Sequence, residues 1–175
     1  MNRVLIIGNA GSGKTTFAKK LAEKTSLPLV HLDRLYWHGS WEHLERDAFD
    51  AVLQAQLDKP RWIIDGNFNR TLPHRLQYCD TVFFFDLPVA SCVTGITKRL
   101  LANYRKTRDD MGGNCEERLG KNTLSLYRNV LHFNRQHRKD YHALLSQQSH
   151  IKVVVFNNHR QAKAFLQGLH DIELI

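Results

Sequence analysis

The sequence is poor in cysteine and proline and has no apolar segment long enough to cross a membrane. Among its 175 residues are four prolines and three widely spaced cysteines, Cys79, Cys92 and Cys115. An odd, unpatterned cysteine count fits neither a disulfide framework nor a four-cysteine zinc site. An apolar strand follows Arg3 directly, with no small-residue cleavage site near it. We therefore expect reduced thiols in a cytoplasmic protein that has no membrane contact.

The order of apolar patterns predicts an α/β fold in a single domain over residues 1–175. Apolar residues make up 42% of the chain, enough to cover both faces of a modest sheet. Short apolar runs predict strands at residues 4–8, 29–32, 62–64, 81–87 and 151–156. Helical spacing predicts helices at residues 14–24, 44–57, 89–104, 123–146 and 161–169. Strands alternating with helices predict a parallel sheet with helices on both faces.

A complete phosphate-binding signature, G-x-x-x-x-G-K-[ST], lies between the first strand and the first helix. The predicted nucleotide-binding residues are Gly8, Asn9, Ala10, Gly11, Ser12, Gly13, Lys14, Thr15 and Thr16. Glycines let the backbone turn tightly, so that successive amide groups point at phosphate oxygens. Lys14 adds charge near the β- and γ-phosphates, and the Thr15 hydroxyl can bind magnesium. This context predicts a nucleoside triphosphate site for ATP with Mg²⁺.

Two aspartates end predicted strands, where ligands of open parallel sheets bind. Asp33 ends the second strand and Asp65 the third. Phosphoryl transfer needs one carboxylate for magnesium and benefits from another that accepts the proton of the attacking hydroxyl. We assign Asp65 to magnesium and Asp33 to the acceptor, with the exchanged assignment left open. The alternative is that each carboxylate caps a helix or sets a turn.

An aromatic segment, Tyr36–Trp41, follows the first of these aspartates and is interrupted by polar residues. This composition suits the wall of a pocket for a planar or polar acceptor. A flap that packs on the core is an equal interpretation.

The excess positive charge is concentrated in one part of the chain. The net charge is +8, and the segment Lys98–Lys139 alone carries eleven basic and four acidic residues. Within it, a glycine-bearing stretch at about residues 105–122 predicts a lid, with Arg99, Arg105 and Arg108 as candidate catalytic groups. A solvated basic surface is the alternative. The same charge could bind nucleic acid, so an ATP-switched nucleic-acid-binding regulator is the second hypothesis.

The turn after the last strand contains Asn158 and Arg160. Its position allows these side chains to reach an adenine ring, and a simple turn explains them equally well. We include both among the predicted nucleotide-binding residues.

The chain resembles the adenylate-kinase-like P-loop kinases, and more closely the bacterial group labelled DNA topology modulation proteins. Besides the phosphate loop, the matching segments are His31-Leu32-Asp33 with Trp37 and Trp41, Trp62 to Phe68, Phe85-Asp86-Leu87-Pro88, Arg105-Lys106-Thr107-Arg108, Asp110-Met111-Gly112, Cys115, and Asn158 with Arg160. The resemblance implies a three-layer P-loop NTPase fold whose five-stranded parallel sheet has the adenylate- and shikimate-kinase-like order 2-3-1-4-5. It also implies an ATP-dependent nucleoside or nucleotide kinase activity with a small acceptor.

The chain departs from adenylate kinases in two places. Those enzymes follow the third strand with Asp-Gly-x-Pro-Arg, whereas here the arginine, Arg70, comes one position later and the proline is missing. The zinc-binding cysteine quartet of some adenylate kinase lids is also absent. Both departures argue against AMP as the acceptor.

Overall fold

The computed structural model describes residues 1–113, 115–116 and 120–169, and within them all side chains except those of Ser40, Lys121, Asn122, Asn134 and Arg135. The strands are β1 (Arg3–Gly8), β2 (Leu29–His31), β3 (Trp37–His38), β4 (Glu42–His43), β5 (Trp62–Asp65), β6 (Thr81–Phe85) and β7 (Lys152–Phe156). The helices are α1 (Lys14–Thr25), α2 (Leu32–Tyr36), α3 (Arg46–Leu57), α4 (Leu72–Leu76), α5 (Val89–Ala102), α6 (Lys121–Gln136), α7 (Arg138–Ser146) and α8 (His159–Gly168).

Five strands form one parallel sheet in the spatial order β2-β5-β1-β6-β7, and β3 pairs with β4 in a small antiparallel hairpin. Counted along the chain, the five strands of the main sheet have the order 2-3-1-4-5, which confirms the predicted fold. The carboxyl ends of β1 and β5 are neighbours, since Ile6 pairs with Asp65. The phosphate loop and the aspartate of β5 therefore lie at the same edge of the sheet.

The sheet separates two hydrophobic clusters, which makes the fold three-layered. In β1, Val4 and Ile6 pack into one cluster, and Leu5 and Ile7 pack into the other. Helices α1, α5 and α8 contribute buried side chains to the first cluster, and α3, α4 and α7 contribute to the second. Because the central strands are covered on both faces, they are continuous apolar runs without alternation.

The long helix predicted at residues 123–146 is two helices, α6 and α7, which meet at His137. Val130 of α6 packs in the first cluster, whereas Phe133 of the same helix and Tyr141 and Leu145 of α7 pack in the second. The chain therefore changes from one cluster to the other within α6, just before the break. The helical periodicity on either side of His137 does not reveal the break itself.

The second strand is shorter than expected, because β2 ends at His31. Asp33 does not end a strand. It lies in the first turn of α2, where its carboxylate is next to the positive end of a short helix. The aromatic residues that follow form the β3–β4 hairpin, which the sequence did not predict.

Candidate active site

The phosphate loop has the backbone conformation that its glycines permit. Gly11 and Gly13 have φ of +74° and +88°, in the left-handed region. Gly13 precedes α1, and the Phe17 amide donates to its carbonyl at 3.0 Å. The amides at the start of α1 therefore face the loop with the positive end of the helix dipole behind them.

Helix α5 packs directly on the loop through a second glycine. A Cβ atom on Gly95 would lie 2.0 Å from the Gly11 carbonyl oxygen, and a Cβ on Gly11 would lie 2.2 Å from the Cys92 carbonyl oxygen. Both distances are impossible for real side chains, so this close approach requires glycine on both elements. Gly95 was not among the predicted site residues.

Three contacts that the sequence analysis did not predict hold the loop in place. Asn67 Oδ1 accepts a hydrogen bond from the Gly8 amide at 2.9 Å. Asn9 Nδ2 donates to the Val130 carbonyl oxygen at 3.0 Å, and His159 Nε2 lies 3.1 Å from the Ser12 carbonyl oxygen. These partners are distant along the chain, so no local sequence pattern predicts them.

Lys14 places an ammonium group between the loop and two carboxylates. Its Nζ donates to the Asn9 carbonyl oxygen at 2.8 Å. Burial lowers the pKa of Lys14, and the charges of Asp65 and Asp33 partly offset this effect. A bound phosphate would supply a further anion for the ammonium group to contact.

Thr15 and Asp65, the two residues assigned to magnesium, are in direct contact. The Thr15 hydroxyl donates to Asp65 Oδ2 at 2.7 Å, and His31 Nδ1 lies 3.3 Å from the same oxygen. Asp65 Oδ1 is buried and has no hydrogen-bond partner in the described part of the chain. A buried carboxylate oxygen beside a hydroxyl is a suitable donor set for Mg²⁺, so the residues present fit this ion.

Asp33 also lines this cleft, and its pKa is raised. Burial raises the pKa of Asp33, the charge of Arg108 opposes the rise, and the carboxylates of Asp65 and Asp110 add to it. Arg108 Nε lies 3.1 Å from Asp110 Oδ1, so the arginine is shared between two acidic groups. A buried carboxyl group whose pKa is raised towards neutrality is suited to general-base catalysis.

The cleft has two sides with different composition. The loop side is formed by residues of the phosphate loop and of α5, including Lys98 and Arg99. The opposite side, called here the acceptor side, consists of Asp33, Tyr36, Trp37, Trp41, His43, Phe68, Arg108, Asp110, Met111 and Glu116. The aromatic segment is thus a wall of the cleft, although its rings also pack on one another.

The predicted lid contacts both sides of the cleft in the part that the structure describes. Residues 114 and 117–119 of that prediction lie outside the described residues. On the loop side, Lys19 Nζ pairs with Asp109 at 2.5 Å. On the acceptor side, Cys115 Sγ donates to the His38 carbonyl oxygen at 3.2 Å, and Trp41 Nε1 donates to the Glu116 carbonyl oxygen at 3.3 Å. The described residues of the segment therefore contact both sides of the cleft.

The predicted arginines divide into two groups. Arg99 and Arg108 line the cleft. Arg105 is exposed with a left-handed φ of 59°, and its guanidinium lies 5.4 Å from the ring centroid of Tyr104. In the described part of the chain Arg105 does not line the cleft, so the structure brings two of the three arginines to the site.

The turn after β7 approaches the phosphate loop through a different residue from those predicted. Asn158 Oδ1 accepts the Gln161 amide at 3.0 Å and caps α8, and Arg160 is exposed. Of this turn, His159 is the described residue that lines the cleft. Of the predicted loop residues, Ala10, Gly11, Gly13, Lys14, Thr15 and Thr16 line the cleft, whereas Asn9 and Ser12 are buried behind it.

Fold and site together define the class, because a five-stranded parallel sheet of order 2-3-1-4-5 around a phosphate loop is the α/β fold of P-loop kinases. Two shikimate kinases are similar to this chain. The enzyme of Bacteroides thetaiotaomicron is 15% identical, with a TM-score of 0.56 over 99% of each chain. That of Acinetobacter baumannii, in complex with shikimate, is 15% identical, with a TM-score of 0.57 over 100% of this chain and 96% of that one.

Two other comparisons are narrower. The family model described as isopentenyl transferase matches residues 1–39, the segment that contains β1, the phosphate loop and α1. A comparison with curated proteins finds no match. No helix in the described part of the chain is both long and apolar enough to span a membrane. These findings establish a P-loop kinase fold, and the chemistry of the acceptor has to be argued from the site.

Proposed function

We propose that the protein is a phosphotransferase that moves the γ-phosphoryl group of ATP to a hydroxyl group of a small acceptor. The observation that carries the proposal is the convergence of Lys14, Thr15, Asp65 and Asp33 on one cleft beneath a closed segment. A site that only bound a nucleotide would need the loop and the magnesium ligands. It would not need a second buried carboxylate beside an aromatic wall.

On the donor side, the loop amides and Lys14 bind the β- and γ-phosphates of ATP. Mg²⁺ held by Thr15 and Asp65 would neutralise charge on these phosphates. His31, 3.3 Å from the same Asp65 oxygen, helps to fix the orientation of that carboxylate. The contacts that these groups already make support this role, since they need little rearrangement to bind the ligand.

On the acceptor side, Asp33 accepts the proton of the attacking hydroxyl group. The hydroxyl oxygen forms a bond to the γ-phosphorus, and the bond from this phosphorus to the β–γ bridging oxygen breaks. The products are ADP, the phosphorylated acceptor and a proton, which Asp33 takes up. Arg99 and Arg108 line the cleft and can stabilise negative charge on the transferring group.

The segment over the cleft limits attack by water. Its contacts with Lys19 on one side and with His38 and Trp41 on the other hold it over the cleft, where closure on bound substrates would exclude water. Opening requires that these few contacts break, which is a small change compared with unfolding of the core.

Two finer predictions stay predictions. Membership of the topology modulation group comes from the resemblance, and a nucleic-acid-binding role comes from the charge of the basic segment. Within the basic segment, Arg99 and Arg108 line the cleft, and Arg138 pairs with Asp86 at 2.6 Å. Part of the charge is thus used inside the molecule, which favours the enzyme hypothesis. DNA binding that falls steeply with salt and survives loss of Lys14 would instead support the second hypothesis.

The proposal is tested by ATP consumption with the purified protein in the presence of Mg²⁺. Nucleosides, nucleoside monophosphates, sugars and hydroxy acids serve as acceptors, and phosphorylated products are identified by mass spectrometry. Lys14→Ala is the inactive variant, and Lys20→Ala, an exposed lysine on the same helix, is its matched control. If no acceptor raises turnover above basal hydrolysis, the protein is not a phosphotransferase for small acceptors.

A further inference from the structure

The acceptor side of the cleft is acidic in the described part of the chain. It contains the carboxyl groups of Asp33, Asp110 and Glu116, and Arg108 is its arginine. Arg108 pairs with Asp110 at 3.1 Å, and its positive charge also stabilises the ionised form of Asp33. An anionic acceptor would bring another negative charge to a partly desolvated site that already holds several.

Arg70 comes closest in sequence to the arginine that grips the acceptor phosphate in adenylate kinases, but it is used elsewhere. Its Nη1 donates to Asp50 Oδ2 at 2.8 Å, and its Nη2 donates to Asp50 Oδ1 at 2.5 Å. Asp50 belongs to α3, and both side chains are about half exposed. This two-point pair lies on the surface, and Arg70 is not among the described residues that line the cleft.

Arg75, the next arginine along the chain, is fully buried and serves the backbone. Its guanidinium donates to the carbonyl oxygens of Gly66, at 3.1 Å, and Phe68, at 3.2 Å, and also to that of Asn67. Burial lowers the pKa of Arg75 to about 10. These bonds hold a loop in which Phe68 has a left-handed φ of 37°, and they place Asn67 against the phosphate loop.

We infer that the acceptor is an uncharged, ring-bearing hydroxyl compound of the nucleoside or sugar class, and not a phosphate or carboxylate anion. The inference rests on the proposed function and specifies its substrate. Two arginines that could hold an anion, Arg70 and Arg75, are engaged with Asp50 and with backbone carbonyls. The carboxylates of Asp33 and Asp110 on this side of the cleft are hydrogen-bond acceptors for hydroxyl groups.

The aromatic wall supplies the complementary surface for a ring. Trp37 and Trp41 make edge-to-face contact at 5.5 Å between ring centroids, and Tyr36 stacks on His43 at 5.1 Å with an interplanar angle of 4°. Flat side chains fixed by one another bind planar bases or the apolar face of a sugar at small entropic cost. The wall also borders Asp33, so a hydroxyl on a ring held there can reach the carboxylate.

The test compares acceptors in pairs that differ only in charge. The pairs are a nucleoside with its 5′-monophosphate, a sugar with its 6-phosphate, and the amide of a cyclic hydroxy acid with the acid itself. Turnover of Mg-ATP gives kcat/KM for each member. We expect the neutral member to exceed its anionic counterpart roughly tenfold or more in at least one pair, the cost of an uncompensated charge in a desolvated site. The comparison of the nucleoside pair with the sugar pair shows which of these two classes of compound is the acceptor.

Binding is measured separately from turnover through tryptophan fluorescence in the presence of Mg-ADP. Trp37→Ala should raise the acceptor KM roughly tenfold while the KM for ATP is unchanged, because stacking on one aromatic ring is lost. Trp37→Phe should restore most of the acceptor affinity. Arg70→Ala should leave both KM values unchanged.

The outcomes separate the inference from the proposed function. The inference is overturned if the anionic members match or exceed the neutral ones in kcat/KM, or if the acceptor KM rises in Arg70→Ala. Either result leaves the proposed phosphotransferase activity intact. Neutral rings that change the fluorescence without stimulating turnover support the inference about the pocket and overturn the proposed function. If no pair shows either binding or turnover, both the inference and the proposed function are overturned.

Discussion

Lys14 is the residue at which burial and charge oppose each other most directly in this protein. Burial disfavours its ammonium form, while the nearby carboxylates of Asp65 and Asp33 favour it. Asp33 is subject to the same conflict, with Arg108 as the favourable charge and Asp65 and Asp110 as unfavourable ones. Perturbed groups of opposite charge in one cleft are typical of catalytic sites.

Replacement of Lys14 by alanine should reduce kcat/KM for ATP by roughly 10²–10³-fold, because a full charge beside the transferring phosphate is lost. The fold should persist, since Gly13 and the start of α1 do not depend on the side chain. Coupled-assay kinetics and circular dichroism measure the two effects. Lys20→Ala is the control, and equal losses in both variants would contradict the assignment.

The acidity of Asp33 predicts the acid limb of the pH–rate profile. A general base acts when it is deprotonated, so the rate falls as the pH drops through its pKa. Because burial raises the pKa of Asp33, the fall should occur at a higher pH than for an ordinary aspartate. Asp33→Asn should lower kcat and remove this limb from the profile of kcat/KM measured from pH 4 to 9. A limb that persists unchanged in Asp33→Asn would assign it to another group.

At the scale of elements, backbone contacts without side chains determine how the parts of the site meet. Helix α5 rests on the phosphate loop at Gly95 and Gly11. The segment over the cleft rests on the aromatic hairpin at Gly112, where an added Cβ would lie 1.8 Å from the Trp37 carbonyl oxygen. Each contact couples two elements so closely that one methyl group would separate them.

Gly112→Ala should therefore push the segment away from the hairpin. We expect a loss of about 1–3 kcal/mol in stability, measured by urea unfolding. We also expect a raised acceptor KM and faster basal ATP hydrolysis, since water gains access. Gly168→Ala is the matched control, because in the part of the chain that the structure describes no atom outside the local helix backbone lies within 4 Å of an added Cβ there. If Gly112→Ala affects stability no more than Gly168→Ala, the two elements are not in contact in solution.

At the scale of the whole molecule, an ion cluster joins the sheet to the break between α6 and α7. Asp86, directly after β6, is almost fully buried and accepts hydrogen bonds from Arg138 Nε at 2.6 Å and from His142 Nε2 at 2.9 Å. Burial works against its ionisation, but the hydrogen bonds from Arg138 and His142 outweigh this and keep the pKa of Asp86 below its usual value. The cluster anchors α7 to the end of β6.

This cluster predicts part of the acid sensitivity of the fold. A carboxylate with a lowered folded-state pKa contributes stability that is present above its unfolded pKa, about 3.9, and is lost as the pH falls through the folded value. Asp86→Asn should cost about 1.5–3 kcal/mol near pH 7, as for hydrogen bonds to a charged group. It should also flatten the decline in stability below about pH 4.

The comparison variant is Asp50→Asn, which removes the partner of Arg70 from a half-exposed pair. Its effect near pH 7 should be below about 1 kcal/mol, because solvent screens exposed pairs. Urea unfolding from pH 3 to 7 measures both variants. A larger cost for Asp50→Asn than for Asp86→Asn would contradict the ranking by burial.

The sequence alone determined the phosphate loop, the alternation of strands and helices, and the two aspartates, because local spacing encodes these features. Gly8 to Thr15 is a contiguous motif, and the strand order followed from the resemblance that the motifs carried. Tertiary structure alone decided which distant residues support the loop. Asn9 meets the carbonyl of Val130, and His159 meets that of Ser12, across separations of 121 and 147 residues.

Tertiary structure also decided what the arginines do. Arg70 and Arg75 have the same local character in sequence, yet one pairs with Asp50 on the surface and the other is buried against backbone carbonyls. The position of the chain relative to the sheet makes this difference, since burial forces a guanidinium to find acceptors and exposure does not. Local patterns therefore predicted the phosphate donor site, whereas the chemistry proposed for the acceptor side depended on contacts that only the folded chain creates.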